Sequence, residues 1–250
     1  PNSLAAALPR MALRAALEGA AAWTGWPWHM RRVLIILPAR IPSLQILIQT
    51  PLSYLARQGR IVVAERLENT VVPADVAAAD VIVTGRNSDP IYQPIYELAD
   101  RRGIPIISEV DDNLFDLPGA FPGVPPNQIA ARRAYMEWLL RRSAIVRVNA
   151  ARLGDRLAHL NPRIERVTGA IDWTLTPDAL PPLADPLRLV YATSRVTEDV
   201  LFPQIAADLR RLLADFGDRI RLHIHGYEPP EFRDHPAVVI EPYRPDYAAY

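Results

Sequence analysis

The residues best suited to chemistry sit together in Ser108-Glu109-Val110-Asp111-Asp112-Asn113-Leu114-Phe115-Asp116, where four carboxylates fall within eight residues directly after an apolar run. Carboxylates this close repel, and each raises its neighbours' pKa unless a cation, a hydroxyl donor or water relieves them. Such a cluster suits general-base work or the gripping of sugar hydroxyls, which makes Glu109, Asp111 and Asp112 the candidate catalytic residues. A solvated turn whose Asp side chains cap the backbone has the same composition, so spacing alone leaves both readings standing. Asn113 and Phe115, in the same loop, are candidate ligand contacts.

A second polar stretch, Thr84-Gly85-Arg86-Asn87, ends another apolar run. Arg86 and Asn87 are expected to reach the same crevice, where a guanidinium clamps phosphate or carboxylate. The alternative for Arg86 is a surface pairing with a nearby Asp. In the second half of the chain, Tyr191-Ala192-Thr193-Ser194-Arg195 joins a strand to a helix. Small hydroxyl residues and free backbone N–H groups there suit a diphosphate, although no glycine-rich phosphate-binding pattern is present. Thr193, Ser194 and Arg195 are therefore candidate contacts for a diphosphate ligand, with His225, Gly226 and Tyr227 near it. His223 and His225 share one face of a strand, and a His-x-His pair can bind metal. No third ligand is evident in the sequence, so no metal is expected.

These loops need elements to hold them. Val33–Leu37 is a continuous apolar run ending at Pro38, as in a strand buried on both faces of a parallel sheet. Further strands are expected at Ile61–Ala64, Val81–Val83, Ile104–Ser108, Ala144–Val148 and a short Arg166–Thr168. Between them the pattern predicts a helix capped by Ser43 and running to about Arg57, and another from Ile91 to Arg102 stopped by Gly103. Two more helices are expected at Gln128–Arg142 and Ala150–His159. Thr174–Pro186 holds Pro177, Pro181, Pro182 and Pro186, a density that denies both helix and sheet and marks a linker. The pattern then restarts, with strands at Leu187–Tyr191, Arg219–His225 and Ala237–Glu241 and a helix at Asp199–Phe216.

Alternating strands and helices define an α/β protein of two Rossmann-like, doubly wound parallel-sheet domains. The expected divisions are an N-terminal helix or linker at 1–31, a first domain at 32–175, a Pro-rich linker at 176–186 and a second domain at 187–250. A piece as short as that last one buries only about 60% of its unfolded surface and leaves an open sheet edge, so the second domain is expected to be incomplete.

Lys+Arg and Asp+Glu are both 28, which gives a formal net charge of zero and argues against nucleic acid as a partner. With no cysteine, disulfides, thiolate nucleophiles and Cys-type zinc sites are all excluded. No apolar run approaches the roughly 20 residues that span a bilayer. Residues 1–31 combine an Ala/Leu-rich stretch with Trp23, Trp26, Trp28, Arg31 and Arg32. This suits either a peripheral membrane contact or a docked helix or linker, and the mostly Ala face favours the latter. The first residue is Pro1, and the N-terminus is read as a cut end.

The order of four segments resembles bacterial glycosyltransferases of the GT-B fold, of the group-1 or family-4 type. They are Asp80–Arg86; Ile104–Phe115 with its Asp111-Asp112-Asn113-Leu114-Phe115; Arg141–Val146 leading to Ile171-Asp172; and Leu187–Gly226. Tyr243 and Tyr247 fit the region that follows. The resemblance covers residues 32–250. It implies transfer of a sugar from a nucleotide-sugar donor, held mainly by the second domain, to a saccharide, lipid-linked or other hydroxyl acceptor gripped by the first, usually with retention. It implies no cofactor beyond the nucleotide-sugar substrate. The absence of cysteine fits a reducing, cytoplasmic compartment, and a peripheral contact through residues 1–31 would then lie at the inner membrane face. The sequence departs from the pattern in three ways. Gly169 and Ala170 precede Ile171-Asp172 where a polar Asn is common, no His lies between His29 and His159, and the paired donor-site glutamates would fall beyond Tyr250. Two other classes are compatible with such a fold. One is a non-catalytic glycan- or partner-binding module; the other, a dinucleotide-dependent oxidoreductase, is disfavoured because Pro38 stands where the glycine fingerprint should follow the first strand.

Overall fold

The five apolar residues Val33–Leu37 set the first layer of the structure. In the computed structural model, which describes residues 30–116, 121, 124–169, 185–193 and 201–243, they form most of β1 (Arg31–Leu37) and none is more than 5% exposed. Alternation sends Leu34 and Ile36 into one core cluster and Val33, Ile35 and Leu37 into another, on opposite sheet faces. Burying an Ile or Leu side chain completely contributes about 1.5–3 kcal/mol, so this strand alone anchors the fold.

The remaining elements of the first unit follow in alternation. After β1 come α1 (Pro42–Leu44), a π-helical segment (Gln45–Gln49) and α2 (Thr50–Arg57), then β2 (Ile61–Leu67), α3 (Pro73–Ala78) and β3 (Val81–Gly85). Next are α4 (Gln93–Arg101), β4 (Ile106–Val110), α5 (Pro126–Arg142), β5 (Ile145–Val148), α6 (Ala151–Leu157) and β6 (Ile164–Arg166). The six strands form one parallel sheet in the order β2-β1-β3-β4-β5-β6. The chain leaves β1 outward to β2 and then returns to place β3 on the other side. The strand order therefore switches between β1 and β3, where an open α/β sheet forms a crevice at the carboxyl ends.

The second unit holds β7 (Leu187–Ala192), α7 (Phe202–Phe216), β8 (Ile220–His225) and β9 (Val238–Glu241), its three strands parallel in the order β7-β8-β9. Its core gathers Phe202, Leu213, Leu222, Ile224 and Phe232 on the sheet face that meets α7. Contacts divide the chain between Asp172 and Trp173. No helix among the described residues is long and apolar enough to cross a membrane. The expectations for residues 1–29, for the Pro-rich stretch before Asp185 and for Tyr247 lie outside the described residues.

Several boundaries differ from the sequence reading. The helix after β1 is capped by Ile41 with no side-chain hydrogen bond, not by Ser43, because Pro42 at its first position has a fixed φ and needs no N–H partner. The π-helical segment precedes Pro51, whose missing N–H interrupts the regular bonding. Strand β4 begins and ends two residues later than expected. Pairing of Gly85 with Glu109 and of Val110 with Val148 keeps Glu109 and Val110 inside the sheet. Helix α3 has no counterpart in the sequence reading; it starts at Pro73, and the Asp75 carboxylate accepts the Val72 N–H at 3.0 Å.

Candidate functional site

Strands β3 and β4 end side by side, and the turns that leave them build a pocket with about 360 Å³ of empty space, part of it open to solvent. Its polar wall is Arg86, Asn87, Glu109, Asp111 and Asp112, and its floor is Leu114, Met136 and Leu139. Gly85 allows the first turn. A Cβ there would stand 2.8 Å from Leu44 Cδ2 and 3.0 Å from Ile48 Cδ1, so any side chain would have to push the ends of those two side chains aside. Arg86 follows with φ 59°, a left-handed conformation that is costly for a residue with a Cβ. The buried Asn87 holds that turn: its Oδ1 accepts the Gly85 N–H at 2.8 Å and also contacts Thr84 Oγ1.

The strained turn aims the Arg86 guanidinium across the pocket. Nε donates to Asp111 Oδ1 at 2.8 Å and Nη2 to Asp111 Oδ2 at 2.6 Å, a two-pronged pairing, and Nη2 also reaches Asp112 Oδ2. Burial works against the Arg86 charge, but the two aspartates outweigh it and raise its pKa. The Asp111 side chain is 5% exposed, whereas that of Asp112 is 46% exposed, so Asp112 is the carboxylate that solvent or a ligand meets first. This is the pairing alternative raised for Arg86 from sequence, here located inside the pocket rather than on the open surface.

Glu109 is different in kind. Its side chain is wholly buried, and Arg147 Nη1 lies 3.2 Å from Oε2 through the β4–β5 register that sets Glu109 opposite Arg147. Neither carboxylate oxygen has a hydrogen bond of good geometry. Burial pushes its pKa up to about 7; Arg147 pulls it down and Asp111 pushes it further up. A carboxyl group half ionised near neutrality, at the end of a parallel strand, has the protonation behaviour of a general acid or base.

Not every predicted residue joins this group. Asn113 turns to the loop's own far end, where Nδ2 donates to Asp116 Oδ2 at 2.8 Å, and Asp116 is held by Arg156. Phe115 packs against the cluster of Val110, Leu140 and Leu153. Both lie outside the pocket lining. In the second unit, the Thr193 N–H donates to His225 O at 3.0 Å. Gly226 has φ 83°, and a Cβ there would lie 2.0 Å from Thr193 O, so only glycine fits this crossing of strand ends. Tyr227 leans on the core, its ring 5.5 Å from that of Phe202. Ser194 and Arg195 lie outside the described residues.

Sequence reasoning passed over a buried polar group beneath the Arg86 turn. Glu68, 4% exposed, sits at the end of β2, and the Tyr96 hydroxyl donates to its Oε1 at 3.4 Å. Tyr96 is fully buried, with its hydroxyl 3.1 Å from Thr84 Oγ1. Burial pushes Glu68 up to about 7, and burial likewise raises the Tyr96 and Tyr135 hydroxyls well above the usual tyrosine range. No local signal marks such a group, since its members come from β2, β3, α4 and α5. The sequence reading also found no third partner for His223 and His225. The structure supplies Glu241 on the neighbouring strand β9.

No protein-family model matches the chain, and no curated protein matches its sequence. Among solved structures, the chain is similar to the glycotransferase of kitacinnamycin, at 13% identity and a TM-score of 0.40, covering 84% of this chain and 70% of that one. It is also similar to Phytolacca americana UGT2 complexed with UDP-2fluoro-glucose and pterostilbene, at 10% identity and a TM-score of 0.49, covering 86% and 72%. A short-chain dehydrogenase/reductase from Veillonella parvula matches at 20% identity and a TM-score of 0.32, over 48% of this chain and 69% of that one.

Proposed function

We propose that this chain is part of a GT-B-type glycosyltransferase that moves a sugar from a nucleotide-sugar donor to a hydroxyl of a saccharide or lipid-linked acceptor. The observation that carries the reading is the tandem arrangement: two separate parallel α/β units, the first ending in a pocket that joins a paired Arg86 to Glu109, Asp111 and Asp112. The resemblance of the ordered segments to group-1 or family-4 enzymes supports the same assignment. In this reading the first unit grips the acceptor through Arg86 and the Asp111-Asp112 loop. The second binds the donor near Thr193, Ser194, Arg195, Gly226 and Tyr227. The acceptor oxygen bonds to the anomeric carbon while the bond from that carbon to the diphosphate breaks. The nucleoside diphosphate leaves with the electron pair, and the acceptor proton passes to a carboxylate. In this reading Glu109 or Asp112 receives it or orients the hydroxyl.

One observation favours a second reading, a non-catalytic glycan-binding module. Arg86 already engages both Asp111 and Asp112, which leaves them arranged as a fixed polar rim. Thermal unfolding of the longest natural form with UDP, GDP, ADP and dTDP and their sugar conjugates separates the two. A ligand at about a hundred times its dissociation constant adds roughly 2.7 kcal/mol, or about 5–10 °C at this size. A selective shift with one nucleotide sugar supports the transferase. No shift with any donor, alongside a shift with oligosaccharides, supports the module.

A further inference from the structure

Outside the Arg86 pocket, the described residues bring three metal-binding side chains together once, at the carboxyl ends of β8 and β9. His223 and His225 lie two residues apart on β8 and so share one sheet face, the face opposite the core packed by Leu222 and Ile224. The parallel register places Glu241 of β9 directly beside His225. The imidazole rings stack 6.4 Å apart with an interplanar angle of 19°, and the carboxylate lies against both. His223 Nδ1 is 3.4 Å from Glu241 Oε1, and His225 Nδ1 is 3.6 Å from Glu241 Oε2. One ligand atom from each of the three residues falls within 4.8 Å of the others.

The two imidazole–carboxylate spacings, one to each carboxylate oxygen, approach those of a coordination sphere. Zinc bonds of about 2.0–2.1 Å to imidazole and carboxylate at tetrahedral angles put neighbouring ligand atoms about 3.3–3.5 Å apart. Two imidazoles and one carboxylate, with water in the fourth position, is a donor set zinc accepts without redox chemistry. The side chains are 19%, 23% and 28% exposed, open enough for an ion to enter and sheltered enough to hold their rotamers.

We propose that His223, His225 and Glu241 form a zinc-binding site that ties β8 to β9 at the carboxyl edge of the second unit. The site stands independently of the glycosyl-transfer reading. Assigning His225 to the metal withdraws it from the residues that would contact a donor. Bound zinc would fix the strand ends beside Gly226 and Thr193, where the chain crossing is tightest.

Titration of the metal-free full chain with Zn²⁺ by calorimetry, and with Co²⁺ by visible absorption, tests this. One equivalent is expected to bind, with the strong d–d bands of low-coordinate Co²⁺. His223→Ala and Glu241→Gln are each expected to weaken binding by more than about tenfold, at least what loss of a group that merely orients a ligand costs. His159→Ala and His235→Ala are expected to leave it unchanged. Unfolding midpoints of the metal-free variants show that each remains folded. Zn²⁺ is expected to raise the midpoint of the parent chain but not of the Glu241→Gln variant. Absence of stoichiometric binding, or binding unaffected by both His223→Ala and Glu241→Gln, overturns the proposal.

Discussion

Arg86 and Asp111 are joined by two hydrogen bonds in parallel, Nε to Oδ1 and Nη2 to Oδ2, and the Asp111 carboxylate is almost entirely withdrawn from water. A buried carboxylate left without its cation costs several kcal/mol, whereas removing both charges costs far less. Because the Arg86 side chain is 26% exposed, solvent screening reduces the effect, and Arg86→Ala is expected to destabilise the first unit by about 2 kcal/mol. The double variant Arg86→Ala/Asp111→Asn is expected to recover more than half of that loss. Urea unfolding of the three proteins checks it; a double variant no more stable than Arg86→Ala would show that the ion pair is not what holds the turn.

Stability is expected to fall as pH rises from about 4.5 to about 7. Both Glu109 and Glu68 are pushed up to about 7 by burial in the folded chain, from an ordinary value of 4.5. Below that ordinary value both states hold the proton and the full stability is present. Between the two values the unfolded chain ionises while the folded chain keeps its protons, so stability drains away until the folded carboxyls ionise as well. A tenfold difference in proton affinity between the two states is worth about 1.4 kcal/mol, which bounds each group's share at about 3 kcal/mol. Glu109→Gln, which stays neutral throughout, is expected to remove its own share of the slope. Denaturant midpoints measured across this range decide, and an unchanged slope in that variant would place the titration elsewhere.

Much of this was readable from local pattern and some of it was not. The both-sides-buried strand at Val33–Leu37 announced itself because an uninterrupted apolar run leaves little else to form, and Gly103 marked a helix end by its tolerance of φ 64°. The acidic stretch after β4 was visible as a charge cluster. What failed was the limit of the strand. Glu109 looked like the start of a loop because a charged residue rarely sits inside a parallel sheet. It does so here because a partner arrives from elsewhere, Arg147 on the neighbouring strand. The same holds for Glu241: the His-x-His signal is local, but its third member depends on how β9 registers against β8. Non-local pairing is the information that one-dimensional periodicity lacks.

Two glycines should differ sharply when a methyl group is added. At Gly85 the new Cβ meets the ends of the Leu44 and Ile48 side chains, which are buried but can shift by a few tenths of an ångström. Gly85→Ala is expected to cost about 1–2 kcal/mol, in the range of mild overpacking. At Gly226 the Cβ would meet the Thr193 carbonyl oxygen at 2.0 Å, and the backbone φ of 83° already disfavours alanine. Gly226→Ala is expected to cost about twice as much or more, concentrated in the second unit. Calorimetric unfolding of both variants gives the order, and the reverse order would contradict the close approach of the β7 and β8 ends.

The pH dependence of turnover carries the sharpest test of the site, because activity and stability should move in opposite directions. If Glu109 accepts the acceptor's proton, it must be ionised, so kcat/KM with the matching donor rises with pH through about 7, the window in which stability falls. Glu109→Gln is expected to abolish that rising limb and to lower the plateau by about 10²–10⁴-fold, the usual worth of a positioned base. In the proposed function Asp112, more exposed and held by Arg86, instead orients the hydroxyl. Asp112→Asn is expected to lower the plateau while keeping the limb near 7 and leaving donor affinity unchanged, because the proposed function assigns donor contacts to the second unit. Rate profiles of the two variants beside the parent separate the roles. A limb that survives in Glu109→Gln removes Glu109 as the base, and a limb lost only in Asp112→Asn transfers that role to Asp112.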